Sequence, residues 1–130
     1  MTTMLVQTPV QVNAFSTRLA LRPPRSSLRS ALGEGRFATV LDCGLFHVFT
    51  DEDRRRYSAS LRPVTGPGAR LHLLCFSDQA PGSTGPRRIR AAEIVTAFAE
   101  DWNVEEVRRD TIDVTTGAQV PALLASLSRR

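Results

Sequence analysis

FATVLDCGLFHVFTDED, residues 37–53, decides how the rest of the chain reads. It opens on an apolar run containing Val40 and the β-branched Thr39, as expected of a strand buried on both faces. Asp42, Cys43 and Gly44 close that run with a polar turn. Thr50 then stands ahead of Asp51, Glu52 and Asp53. A hydroxyl at the N-cap and carboxylates in the first turn answer the unpaired N–H groups and the positive end of a helix. The spacing predicts a helix over 51–61, with Tyr57 and Leu61 on its inner side and Arg54, Arg55 and Arg56 pointing outward.

Beyond that helix, Pro63, Gly66, Pro67 and Gly68 predict a break. Residues 70–76, RLHLLCF, read as a second buried strand that also ends in polar residues, Ser77 and Asp78. A strand, helix, strand unit is almost always right-handed with parallel strands, so Asp42 and Ser77 are expected together at the carboxyl edge of the sheet. Ligands of open α/β sheets bind at that edge. After a Pro- and Gly-rich loop, Ile94, Val95, Phe98 and Trp102 have helical spacing over 91–102. Residues 103–114 follow as a looser strand and Thr115, Thr116 and Gly117 as a turn, with 120–127 as a last strand antiparallel to its hairpin partner.

The segments DCGLFHVFTDEDRRRY, PGARLHLLCFSD, PGSTGPRRI, EIVTAFAEDWNVEEV and ALLASLSR together resemble the second half of a class I S-adenosylmethionine-dependent methyltransferase, in the bacterial branch related to thiopurine methyltransferases. The resemblance spans residues 37–130 and implies an incomplete Rossmann-like α/β sheet. Family strands four to seven with two helices would be present, mainly parallel with an antiparallel last strand. It implies a small-molecule methyl acceptor and S-adenosylmethionine as cofactor. It places Asp42, Cys43, Gly44 and Leu45 against the cofactor, Asp42 and His47 in catalytic roles, and Phe46, Ser77, Arg87 and Arg88 beside the acceptor. His47 would take a proton from the acceptor, which requires a pKa near working pH.

Two features of the family are missing from the sequence. No glycine-rich loop follows a first strand, and no acidic residue stands where one would hold the cofactor's ribose. Gly33-Glu34-Gly35 and Gly66-Pro67-Gly68 both precede strands and open no helix, so both read as turns. The expectation is a chain that is truncated and inactive or incomplete alone. The competing expectation is a non-catalytic remnant or interaction module that pairs through the exposed edge of the strand at 37–41, as a homodimer or with a complementing fragment.

Residues 1–36 carry five Arg against one Glu, whereas 37–130 balance twelve Arg with twelve acids, so the net charge of +4 belongs to this leader. It reads as a basic, poorly ordered segment of unrelated sequence, as a truncated gene with a new start would supply. A short edge strand is expected within 5–15, confined by Pro9, and loop over 18–29. The Arg-bearing part lacks interleaved aromatics, which favours a solvated tail over a nucleic-acid-binding arm. No segment approaches the roughly 18 apolar residues a membrane span needs, and a cytoplasmic protein is expected. A zinc site built from Cys43, His47, His72 and Cys75 is disfavoured, because His72 and Cys75 point to opposite faces of one strand. No metal is therefore expected. Both cysteines are expected to remain thiols.

Overall fold

A computed structural model describes residues 3–7 and 37–130. The expectations for residues 8–36, including the loop over 18–29 and most of the strand within 5–15, lie outside the described residues. Five strands form one sheet in the order β1-β2-β3-β5-β4. They are β1 (Thr3–Gln7), β2 (Phe37–Cys43), β3 (Thr65–Phe76), β4 (Trp102–Asp113) and β5 (Gln119–Arg129). The helices are α1 (Asp51–Leu61) between β2 and β3, and α2 (Ala91–Phe98) between β3 and β4.

β2 runs parallel to β3, with Val40 opposite Leu71 and Asp42 opposite Leu73, as the strand, helix, strand reading requires. β5 lies between β3 and β4 and is antiparallel to both. The anticipated hairpin therefore forms, and its second strand is inserted into the sheet next to β3.

The other side of β2 departs from expectation. β1 pairs with it in parallel, Thr3 opposite Thr39 and Gln7 opposite Cys43. The edge expected to lie open for a second copy or a complementing fragment is occupied by the chain's own first residues. Three successive apolar residues, Met4, Leu5 and Val6, supply the strand. An unpaired apolar edge in mid-sheet is a strong template for pairing, and β1 fills it here.

Alternation along the strands sorts the sheet into two faces. Val40 and Asp42 of β2, Leu71, Leu73 and Cys75 of β3, and Ala125 and Leu127 of β5 are all buried. Tyr57 and Leu61 of α1 and Ile94 and Phe98 of α2 join them in one cluster, so both helices cover this face. On the opposite face Leu41 remains 37% exposed.

α1 has the bounds its caps predict. Thr50 Oγ1 accepts the Asp53 N–H at 3.2 Å, and Asp51, Glu52 and Asp53 occupy the first turn. Arg54 differs from the outward reading, because it is only 4% exposed. The reason is helical periodicity: residues 54, 57, 58 and 61 share the inner face. Its guanidinium lies 4.9 Å above the Phe46 ring and donates from Nη1 to Glu93 Oε1 of α2 at 2.9 Å.

α2 starts as expected but ends at Phe98, short of Trp102, which instead begins β4 opposite Arg129. Its start is fixed by Glu93, whose Oε2 accepts the Arg90 N–H while its own N–H donates to the Arg90 carbonyl. β3 also begins earlier than the break at Gly66-Pro67-Gly68 implied. The ladder is interrupted there, Phe37 facing Thr65 and Thr39 facing Arg70, and Gly68 at φ +82° absorbs the excess chain.

Two outcomes are expected from this architecture. Thr50→Ala should cost about 1 kcal/mol in urea unfolding, the usual loss for a hydroxyl N-cap. Removing residues 1–7 should bare the β2 edge and raise the aggregation rate seen by light scattering, with no change expected if that edge were protected by other means.

Candidate functional site

The parallel strands β1, β2 and β3 bring Gln7, Cys43 and the residues after Phe76 to one edge. β2 must leave the sheet there. Gly44, at φ +76°, turns the chain, and its N–H still donates to the Leu74 carbonyl at 2.9 Å as the last rung toward β3. A short 3-10 turn, Phe46–Val48, follows, and Thr50 then starts α1.

Asp42 organises this turn. Its Oδ1 accepts the Leu45 N–H at 3.0 Å and the Phe46 N–H at 3.4 Å, and the residue is 2% exposed. The carboxylate thus faces inward. Its Oδ2 and the Tyr57 hydroxyl are both sealed from water without a well-formed hydrogen bond. They nevertheless act on each other. Burial pushes the Asp42 pKa up to about 6, opposed in part by the Tyr57 hydroxyl and the Leu45 and Phe46 N–H groups. Burial and then the Asp42 charge hold the Tyr57 phenol well above its ordinary range.

His47 is also buried. Its Nδ1 accepts the Phe76 N–H at 2.9 Å, and its ring meets the Phe76 ring edge-on with centroids 4.7 Å apart. Burial lowers its pKa to about 4, the Gly44 main chain opposes this, and the Arg88 charge adds to the fall. A proton-accepting role, as the resemblance implies, calls for a pKa near working pH, and burial holds this imidazole below that range.

The remaining expected site residues divide by exposure. Cys43 is half-buried at the end of β2, and burial followed by the Asp42 charge raises its thiol pKa. Leu45 and Phe46 are core residues, with the Phe46 and Phe98 ring centroids 5.5 Å apart. Ser77 is 2% exposed, with its N–H donating to the Pro121 carbonyl and its Oγ accepting from the Gln79 N–H. It therefore anchors the start of the loop.

Arg87 and Arg88 are both engaged within the protein. Arg87 Nη1 donates to the Phe49 carbonyl and to Asp51 Oδ1. Arg88 donates to the carbonyls of Ala80, Pro81, Thr84 and Pro86, and its guanidinium lies 5.5 Å from the Phe76 ring centroid. Together they form an internal brace for the 77–90 loop. A guanidinium has five N–H donors in a planar fork, which suits a loop with many unpaired carbonyls.

Sequence reasoning missed Tyr57 and Arg54 as neighbours of the site. The 54/57/58/61 spacing was the available signal. It also did not foresee the orientation of Asp42, which depends on backbone N–H groups left unpaired by the turn. Among the described residues no group of three His, Cys, Asp or Glu side chains is placed to hold a metal.

A chain with this strand order and carboxyl-edge turn has the fold of S-adenosylmethionine-dependent methyltransferases. A protein of the conversion of a disulfide bond into a thioacetal group during echinomycin biosynthesis superposes with TM-score 0.68 at 23% identity, covering 99% of this chain and 76% of that one. A SAM-dependent methyltransferase from Methanosarcina mazei gives 0.64 at 12% identity, over 97% and 91% of the two chains. The 1,6-didemethyltoxoflavin-N1-methyltransferase of Burkholderia thailandensis, solved with its acceptor and S-adenosylhomocysteine, gives 0.59 at 15% identity, over 98% and 72%. In sequence, the 2-heptyl-1-hydroxyquinolin-4(1H)-one methyltransferase of Mycobacteroides abscessus is 32% identical over 76 residues, 57% of this chain and 34% of that one. The chain thus matches about a third of that relative's length. No protein-family profile matches the chain. No helix among the described residues is long and apolar enough to cross a membrane.

The residues at this edge fit such a cofactor only in part. Cys43 and the Gly44 main chain stand at the end of β2, but the Asp42 carboxylate is buried and its Oδ1 is engaged by the Leu45 and Phe46 N–H groups.

Asp42 and His47 act oppositely on stability. Asp42 binds its proton more tightly folded, about 6 against 3.8, so its contribution falls as pH rises between those values. His47 binds its proton less tightly folded, about 4 against 6.5, so its contribution rises over nearly the same range. Each amounts to about 3 kcal/mol, and the two nearly cancel. Asp42→Asn should unmask the His47 slope, with unfolding free energy climbing by about 3 kcal/mol from pH 4 to 6.5 in urea titrations. An unchanged, flat profile would contradict the assignment of these shifts.

Proposed function

We propose that this chain takes part in S-adenosylmethionine-dependent methyl transfer to a small, uncharged acceptor. The observation that carries the reading is the 32% identity to a quinolone methyltransferase on a sheet of methyltransferase topology. The cofactor would supply the electrophilic methyl group on its sulfonium. The protein's contribution at the described edge is to hold the Cys43–Gly44 main chain and the 77–90 loop in place, since positioning supplies much of the rate in such displacements. With Arg87 and Arg88 engaged internally, a neutral hydroxylated heteroaromatic, as in the relative's name, suits the edge better than a phosphorylated acceptor. The thiopurine-related placement belongs to this same proposal and rests on the quoted sequence words alone.

A second reading, cofactor binding without turnover or no binding at all, is favoured by one observation. The first glycine of the chain is Gly33, so no glycine follows β1 directly. Calorimetric titration with S-adenosylhomocysteine, followed by transfer of labelled methyl to hydroxyquinolones, separates these. Saturable one-to-one binding with transfer is expected. Binding without transfer moves the chain to the second reading, and no heat at millimolar ligand from a folded sample removes the cofactor altogether.

A further inference from the structure

We propose that His47 is a positioning residue whose imidazole is inserted into the β2–β3 ladder as an extra rung, and that it is not the proton acceptor of the reaction. In a regular parallel ladder, a residue donates its N–H to one residue of the neighbouring strand and accepts at its C=O from a residue two further on. The Gly44 N–H donates to Leu74, so continuation of the ladder would bring the Phe76 N–H to the Gly44 carbonyl. The Phe76 N–H goes instead to His47 Nδ1.

The Gly44 main chain also lies close enough to the imidazole to act on its charge. The ring accepts on Nδ1 the N–H that a continued ladder would give to Gly44. This arrangement opens the end of the ladder while leaving the Phe76 N–H paired, which matters in a buried turn.

The arrangement requires one tautomer, neutral with its proton on Nε2. A second proton would set two N–H groups against each other at Nδ1. The surroundings oppose that proton as well, with the Phe76 ring from β3 against the imidazole and the Arg88 guanidinium facing it from the loop. The His47 carbonyl in turn accepts the Arg87 N–H at 2.9 Å, so the same residue fastens the loop. Neither ring nitrogen is left to take a proton from an acceptor. The ladder insertion holds whether or not the chain transfers a methyl group; only its bearing on catalysis depends on that reading.

Nitrogen-15 NMR of histidine-labelled protein tests this without any activity. The expected result is an unprotonated Nδ1 with a through-hydrogen-bond coupling to the Phe76 amide, and an Nε2–H tautomer that persists from pH 8 to pH 5. Slow hydrogen exchange at the Phe76 amide should survive in His47→Asn, whose amide oxygen can accept that N–H, and accelerate at least tenfold in His47→Leu. A ring that titrates near pH 6.5, an Nδ1–H tautomer, or a Phe76 amide indifferent to both substitutions would overturn the proposal. If the titration with S-adenosylhomocysteine fails while these signatures appear, the methyl-transfer reading falls and the inserted rung stands.

Discussion

The structure depends on how β2 leaves the sheet. A strand paired on both edges and buried on one face cannot simply stop, because every N–H and C=O at its end still requires a partner. Gly44 reverses the chain in a conformation that side-chain-bearing residues rarely adopt, and Asp42 takes up the N–H groups of Leu45 and Phe46. Phe46 is thereby delivered to the core, where it meets Phe98 and the Arg54 guanidinium. The position of α1, and through Glu93 that of α2, follows from this exit.

The exit concentrates polar groups in an apolar interior. Asp42 Oδ2, the Tyr57 hydroxyl, and Nε and Nη2 of Arg54 are all buried without hydrogen-bond partners. Each carries a desolvation cost, and such clusters are retained where they fix a particular arrangement. The 77–90 loop is held differently. There a single Arg88 gathers carbonyls from several turns of chain, doing for an irregular segment what a ladder does for a strand.

Much of this was legible because its causes are local. The bounds of α1 follow from Thr50 and its acids, and the β4–β5 hairpin from Thr115 to Gly117. Where distant partners decide, the sequence was silent or misleading. Gly66-Pro67-Gly68 reads as a break, yet pairing with β2 carries the strand through it as a bulge. Helical spacing reaches Trp102, but pairing with Arg129 claims that residue for β4. The site positions were readable at Asp42 and His47, whereas the direction of each side chain was set by main-chain groups orphaned elsewhere. Arg87 and Arg88 show the same limit, since their obligations to loop carbonyls leave no mark on composition.

β1 is a five-residue strand at the edge of the sheet with β2 as its partner, whereas β3 and β5 are each paired on both sides. A short strand with one partner therefore docks after the rest of the sheet and separates before it. Any molecule that rests against Gln7 and Cys43 spends part of its affinity on keeping the first strand in place. Binding at this edge and completion of the fold are in that sense one equilibrium, visible as slowed amide exchange in the opening residues of the chain.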